Sequence, residues 1–230
     1  MIPLKDDNPR VLTPFFNIGL ILCNVAVFIY QFSRPDPDLF VHAYGAIPVE
    51  IMSGQNWSSL ITAMFLHGGW LHLLGNMLYL WIFGDNVEGL MGHGRYLIFY
   101  LLCGLAATIS QIVMMPLYEG PLIGAISGVL GAYLVKFPRA YILQFKTLPI
   151  VSVPVVQKSP ALVVLGFWFV MQLTSGFGVF HSDIGNNVAW FANIGGFLTG
   201  VLFVKFFERL RSIDIFRQHE FEEGSDGGRG

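Results

Sequence analysis

Apolar residues lie along the chain in runs close to membrane-spanning length, separated by short polar links. A helix of about 20 residues crosses the hydrocarbon core of a typical bilayer, and such runs have no stable place in water. The pattern therefore predicts six membrane-spanning helices. The fourth and fifth are short for a crossing, which is tolerable where neighbouring helices surround them. The predicted spans cover residues 14–32, 62–83, 95–115, 121–137, 158–175 and 187–207.

Composition supports a membrane protein and excludes a soluble domain. Apolar residues make up 54% of the chain and charged residues only 12%, whereas soluble domains carry about a quarter charged residues. The formal net charge of −2 is too small to indicate a nucleic-acid partner. We therefore expect an all-α, polytopic membrane protein whose surroundings are the lipid bilayer.

The polar segments divide the chain into three parts. Residues 1–13 are predicted to form a cytoplasmic N-terminal segment, residues 14–207 the membrane domain, and residues 208–230 a disordered cytoplasmic tail, acidic and then rich in glycine. The first 14 residues have mixed charge and proline, unlike a cleavable signal peptide. The link 138–157 is partly amphipathic, which favours a segment lying at the membrane interface.

The basic residues indicate the orientation. If the N-terminus is cytoplasmic, all of the 13 Lys and Arg residues except Arg34 fall on the cytoplasmic side. We expect both ends of the chain in the cytoplasm, and the membrane to be the inner (plasma) membrane of a bacterium.

Metal and cofactor sites are not indicated. Cys23 and Cys103 both lie inside apolar runs and have no His or Cys companion at ligand spacing. Buried thiols of this kind are more often packing residues than a disulfide or a metal site. The sequence predicts no metal and no cofactor.

Polar residues inside the predicted spans are candidates for function, because they are costly at membrane depth unless partnered. His72 and Asn76 are four residues apart and share a helix face. The Gly124/Gly128 and Gly196/Gly200 pairs let two helices approach closely, which predicts contact between the fourth and sixth spans and brings Ser127 near Asn193. The alternative to a functional role is that the histidine and asparagine side chains only form hydrogen bonds between helices.

The segment His67-Gly-Gly-Trp-Leu-His72-Leu-Leu-Gly-Asn76, followed by Gly84-Asp-Asn-Val-Glu88, resembles the second helix of rhomboid intramembrane serine proteases. The fourth span, with Gly131-Ala-Tyr-Leu-Val-Lys136, and the sixth span are also similar to that family. The resemblance runs from about residue 14 to 207 and implies a six-helix rhomboid-like bundle.

The resemblance also implies a chemistry, namely peptide-bond hydrolysis within the membrane by a serine–histidine dyad. In that family the serine opens the fourth helix and the histidine lies on the sixth, where the matching positions here hold Ser127 and Asn193. A histidine and an asparagine of the second helix help to form the oxyanion hole, and they match His72 and Asn76. A base must take the hydroxyl proton, and placed donors must meet the oxyanion.

Two departures from the family pattern indicate lost activity. Asn193 stands where the family has its histidine, and an amide does not accept a proton at useful pH. The stretch before Ser127 is three residues shorter than the family's Gly-x-Ser-Gly region, and three residues correspond to about 4.5 Å of helix. Ser127 therefore lies about one turn deeper than the family's nucleophile.

Three hypotheses follow from the sequence. The first is a rhomboid-like pseudoprotease that binds transmembrane client segments without cleaving them. The second is a working intramembrane serine endopeptidase in which His72, or a deeper arrangement, activates Ser127. The third is a small transporter or channel, which would require charges along a membrane path that the predicted spans do not carry.

Overall fold

The computed structural model describes residues 2–122, 126–147, 154–178 and 190–209. In chain order the helices are α1 (Phe15–Phe32), α2 (Pro37–Tyr44), α3 (Pro48–Met52), α4 (Ser59–Thr62), α5 (Trp70–Tyr79), α6 (Asp85–Met91), α7 (His93–Met114), α8 (Ser127–Lys136), α9 (Ala161–Gly178) and α10 (Trp190–Phe207). A 3-10 turn, Ala63–Phe65, lies between α4 and α5, and a π-helical turn, Leu80–Gly84, joins α5 to α6. The strands are β1 (Ile2–Asp6), β2 (Tyr141–Thr147) and β3 (Pro154–Pro160).

Within the described residues, three helices are long and apolar enough to cross a membrane, namely α1, α7 and α10. The other predicted spans correspond to the continuous helical unit of residues 70–91, to α8 and to α9. The predicted tail disorder, the Gly124 position and the start of the sixth predicted span fall outside the described residues.

The second predicted span is displaced along the chain. It was expected over residues 62–83, whereas the helix begins after Gly69 and continues to Met91. The residues before it form short turns, so His67 precedes the helix. The helix ends at Gly92, which has a φ of 75° and faces the Arg209 guanidinium so closely that a Cβ would overlap it. The apolar pattern marked the segment, and glycines set its ends.

The described chain is mostly helical, as predicted, and three strands add a small antiparallel sheet, in the order β1-β2-β3, that the all-α prediction did not include. In the β1–β2 ladder, Ile2 pairs with Phe145 and Asp6 with Ile142, and Tyr141 of β2 pairs with Pro160 of β3. The link 138–157 was expected to be an interfacial segment. It holds strand β2 and the start of strand β3 because the distant residues 2–6 supply a hydrogen-bonding partner.

The predicted contact between the fourth and sixth spans is confirmed, since α8 packs closely along α10. A Cβ at Gly200 would overlap the Gly128 carbonyl oxygen, and a Cβ at Gly131 would overlap that of Phe197. The fourth span was predicted from residue 121, but helix α8 begins at Ser127, because Leu122 forms a β-bridge with Ala46. Small residues thus set the distance between the two helices.

A buried carboxylate fixes the start of α1 against the rest of the bundle. Glu88 is fully buried and accepts hydrogen bonds from the backbone amides of Phe16 (3.1 Å) and Asn17 (2.7 Å), and Nδ1 of His93 also contacts it. The first amides of a helix lack partners within the helix, and a carboxylate there is favourable. Asn17 Nδ2 in turn donates to the carbonyl of Leu80 (2.8 Å), in the π-helical turn.

Candidate functional site

A cavity of about 240 Å³ opens between helices α5, α8, α9 and α10. Its polar lining residues come from α5, α9 and α10, and its walls are largely apolar and aromatic. We call it the central cavity, and its lining residues are Leu71, His72, Gly75, Asn76, Tyr79, Ile126, Leu130, Trp168, Gln172, Trp190 and Asn193.

His72 and Asn76 both line the central cavity, as their four-residue spacing on one face of α5 predicts. His72 Nδ1 accepts a hydrogen bond from the backbone amide of Gly68 at 3.4 Å. Its ring lies 5.3 Å from that of His67, measured between centroids. His67 itself is buried and does not line the cavity, and its carbonyl accepts from Gln31 Nε2 at 2.8 Å.

Asn193 lies on the opposite wall of the cavity and is held by a partner that the sequence did not single out. Its Nδ2 donates to Oε1 of Gln172 on α9 at 3.0 Å. Gln172 is buried and lines the same cavity. The available signal was a glutamine inside the apolar run of α9, where a polar side chain needs a partner.

Ser127 does not belong to the cavity lining, although it is the first residue of α8 and follows Ile126, which does. Its side chain is fully buried, and its Oγ has no hydrogen-bond partner among the described residues. The hydroxyl lies against Gly196 of α10, where a Cβ would overlap it. The structure therefore brings His72, Asn76 and Asn193 to one cavity and places the Ser127 hydroxyl in a helix contact.

The described residues contain no group of three or more His, Cys, Asp or Glu side chains that could hold a metal ion. The polar side chains that line the central cavity are three amides, one imidazole, the Tyr79 hydroxyl and the indole N–H groups of Trp168 and Trp190. Amides and hydroxyls donate and accept hydrogen bonds without changing charge near neutral pH. Chemically, the cavity is suited to hold polar groups by hydrogen bonds.

Comparison with known proteins identifies the family. Residues 54–209 match the family model described as the rhomboid domain. The chain is 39% identical over 92 residues to "Rhomboid protease GluP" of Bacillus subtilis, an alignment that covers 40% of this chain and 18% of that protein. It is 29% identical over 183 residues to "RHOMBOID-like protein 4" of Arabidopsis thaliana, covering 76% of this chain and 42% of that protein.

A third relative, "RHOMBOID-like protein 6, mitochondrial" of Arabidopsis thaliana, is 29% identical over 155 residues, with 66% of this chain and 44% of that protein covered. The chain thus spans less than half of the length of these relatives. The rhomboid domain occupies most of the chain and includes the whole central cavity. This chain is an integral membrane protein and belongs to the rhomboid family.

Proposed function

We propose that this protein is a rhomboid pseudoprotease, which binds transmembrane segments of other membrane proteins and does not cleave them. The observation that carries the proposal is the position of Ser127. Its hydroxyl is fully buried against Gly196 and is absent from the lining of the central cavity. A nucleophile must come within about 3–3.5 Å of the atom that it attacks, so a hydroxyl buried in a helix contact does not reach a client in the cavity.

The residue opposite His72 and Asn76 supports the same proposal. Asn193 donates its Nδ2 hydrogen to Gln172 and has no atom that takes up a proton near neutral pH. A serine hydroxyl needs an adjacent base to become nucleophilic. His72, the imidazole of this cavity, makes no hydrogen bond to the Ser127 hydroxyl within the described part of the chain.

The groups that remain are suited to binding. The imidazole of His72 and the side-chain amide of Asn76 present hydrogen-bond donors or acceptors to the cavity, whose lining also includes Trp168 and Trp190. Such groups would hold a client's backbone carbonyl, as they would hold an oxyanion in a protease. Without a nucleophile, the same interactions give affinity alone.

The proposed topology has six crossings, with the N-terminus, the C-terminus and the link between α8 and α9 on the cytoplasmic side. The basic residues support it. The pairing of β1 with β2 gives independent support, because paired strands lie on one side of the membrane. An even number of crossings must then separate them, and four predicted spans do. For the location we propose a bacterial plasma membrane; the similar proteins include one of Bacillus subtilis and one of Arabidopsis thaliana that is named as mitochondrial.

Reconstitution of the full chain into liposomes with a generic rhomboid substrate tests the proposal. We expect no cleavage, under conditions in which an active rhomboid protease cleaves the same substrate. Asn193→His should also fail to cleave, because it supplies a base and leaves the Ser127 hydroxyl outside the cavity. Cleavage by the wild-type chain that Ser127→Ala abolishes would instead establish the alternative, an active serine endopeptidase.

Client binding is tested in the same liposomes by photo-crosslinking from a probe placed at Leu71, which lines the cavity and is largely exposed. We expect capture of a transmembrane segment by the wild-type chain and weaker capture by Asn76→Ala. A probe at Leu117, an equally exposed position away from the cavity lining, is the matched control. Equal capture from both positions would contradict a binding role for the cavity.

A further inference from the structure

A second cavity, of about 440 Å³, lies between the N-terminal residues and the π-helical turn. His72 and Asp85 are separated by 13 residues of helix, or about 20 Å, so this cavity lies at the other end of the 70–91 helical unit from the central cavity. We call it the N-terminal cavity, and its lining residues are Leu4, Lys5, Asp6, Asn8, Arg10, Trp81, Ile82 and Asp85.

The N-terminal cavity contains two basic and two acidic side chains. Arg10 Nη2 lies 3.4 Å from Asp85 Oδ2, a long contact, and the Arg10 side chain is 55% exposed. Lys5 is also exposed and makes no ion pair among the described residues. Because the Arg10 side chain is exposed, this pair contributes little to stability and Arg10 is readily exchanged to another partner.

Asp6 is held in place by neutral donors. The Tyr133 hydroxyl (2.7 Å), Asn86 Nδ2 (2.7 Å) and Asn8 Nδ2 (3.3 Å) all donate to Oδ2 of Asp6. No side-chain donor in the described part of the chain reaches Oδ1 of Asp6. The carboxylate is therefore oriented without being neutralised, which is unusual for a half-buried acid, since such groups are normally paired.

The mouth of this cavity lies where the membrane surface is expected. Trp81 is 55% exposed and projects from a helical unit that the apolar pattern identifies as membrane-embedded. Trp81 lies two residues before the end of the predicted span 62–83, and exposed tryptophan near the end of a span is typical of the membrane–water interface, at the depth of the lipid headgroups. The charged wall of the cavity and the exposed indole thus meet at headgroup depth.

We propose that the N-terminal cavity binds the phosphoethanolamine headgroup of a membrane phospholipid. The phosphate is bound by Lys5 and Arg10, and the primary ammonium donates to Asp6 and Asp85. The acyl chains leave the cavity beside Trp81 and enter the bilayer. No bond is made or broken, and the site does not depend on the central cavity.

The charges of the cavity favour this headgroup over others. A phosphate without an ammonium would face the carboxylates of Asp6 and Asp85 and would be repelled. A choline headgroup has the right charges, but its quaternary nitrogen has no N–H to donate to a carboxylate. Charge-assisted hydrogen bonds are roughly twice as strong as neutral ones, and only the primary ammonium forms them with both acids.

The test is native mass spectrometry of the full chain, purified in detergent with equimolar phosphatidylethanolamine, phosphatidylcholine and phosphatidylglycerol. We expect phosphatidylethanolamine to be retained in preference to the other two. Asp85→Asn should reduce that preference roughly tenfold, the effect expected for one hydrogen bond between charged groups. Lys5→Gln, at an exposed position where the fold is not at risk, should weaken retention of phosphatidylethanolamine and phosphatidylglycerol.

Two matched variants control for charge alone. Asp38→Asn and Lys205→Gln remove one exposed charge each away from the cavity and should leave the preference intact. Soluble glycerophosphoethanolamine should compete only weakly, and competition as strong as that of the lipid would overturn the assignment to a phospholipid. Equal retention of the ethanolamine and choline lipids, or an unchanged preference in Asp85→Asn with an unaltered melting temperature, would overturn the proposal.

Discussion

The side chains of Asn193 and Ser127 belong to the two packed helices α10 and α8 but have different surroundings. Asn193 directs its amide to Gln172 in the central cavity, whereas the Ser127 hydroxyl is buried against Gly196 without a partner among the described residues. A buried hydroxyl with no hydrogen bond costs free energy relative to a methyl group of similar size. The Ser127 hydroxyl thus has no hydrogen-bond partner among the described residues, whereas the serine chemistry of the family needs a base beside it.

Replacement of Ser127 by alanine should therefore leave the protein at least as stable as the wild type, with a gain of up to about 1 kcal/mol in the free energy of unfolding. Ser59→Ala is the matched control, because Ser59 is equally buried but donates to the Asn56 carbonyl at 2.6 Å. That variant should lose about 1 kcal/mol. Thermal unfolding in detergent measures both, and a clear loss in Ser127→Ala would reveal a partner for its hydroxyl.

Asp6 predicts a pH dependence of stability. Burial is the main cause that raises its pKa from 3.8 to about 6, although hydrogen bonds from Tyr133 and Asn8 oppose the shift. Because the folded protein binds the Asp6 proton more tightly than the unfolded chain does, this contribution is fully present below pH 4 and is lost as pH rises through 6. Its size is on the order of 1–2 kcal/mol after allowance for solvent screening.

In Asp6→Asn this contribution is absent. The difference in unfolding free energy between the variant and the wild type should therefore change between pH 4 and pH 7 and stay flat above pH 7. Chemical denaturation in detergent at several pH values measures it. A difference that is constant across the range would show that the Asp6 pKa is not raised.

At the scale of elements, backbone contacts between small residues position the helices that surround the cavity. Gly131 and Gly200 have no room for a Cβ, because each faces a backbone carbonyl of the other helix. Backbone atoms have little freedom to move aside, unlike the end of a flexible side chain. The α8–α10 contact is consequently intolerant of any added atom.

Gly200→Ala should lower the free energy of unfolding by about 1–3 kcal/mol, as expected for overpacking. It should also separate α8 from α10 and so widen the central cavity. Gly166→Ala on α9 is the matched control, since no atom lies within 4 Å of a Cβ there, and it should be neutral or slightly stabilising. If both variants melt at the same temperature, the close contact does not hold the two helices.

We expect Glu88 to stabilise the start of α1. Glu88→Gln keeps the size of the side chain but removes the charge that faces the amides of Phe16 and Asn17. We expect a loss of about 1–3 kcal/mol, because hydrogen bonds to charged groups are the stronger ones. Glu50→Gln, on the partly buried helix α3, should have a smaller effect. Equal melting temperatures of the two variants would contradict a special role for Glu88.

The sequence predicted the helical elements and the shared face of His72 and Asn76, because both depend on residues close together in the chain. It did not predict that helix α8 starts six residues late or that residues 141–147 are a strand. Those features depend on partners far away in sequence, at Ala46 and in β1. Gln172 was missed for the same reason, since its partner Asn193 lies on another helix.

At the scale of the whole molecule, the two cavities lie toward opposite ends of the 70–91 helical unit and differ in chemistry. The central cavity has no Asp, Glu, Lys or Arg among its lining residues, whereas the N-terminal cavity combines charges of both signs. The 70–91 helical unit connects them and contributes residues to both. The proposed topology places the two cavities at opposite membrane surfaces.

Labelling of single cysteines tests this arrangement, in a background of Cys23→Ala and Cys103→Ala. Lys5→Cys and Lys158→Cys should react with a membrane-impermeant maleimide from the same side of sealed vesicles, and Asp38→Cys from the opposite side. Positions 5 and 158 should agree because the β-sheet joins residues 2–6 to β2 and β3. Position 38 should differ because the predicted span 14–32 separates it from residue 5. Reaction of positions 5 and 158 from opposite sides would be incompatible with that sheet.

The pairing of β1 with β2 also has a consequence for how the protein is made. Strand β1 leaves the ribosome well before its partner β2, which emerges only after α1, the 70–91 helical unit, α7 and α8 have been synthesised. Until then its backbone amides have only water as a partner, and the long loop that it must close makes the pairing slow. The N-terminal cavity, which needs Asp6 in place, is therefore completed late in biogenesis, after most of the bundle has entered the bilayer.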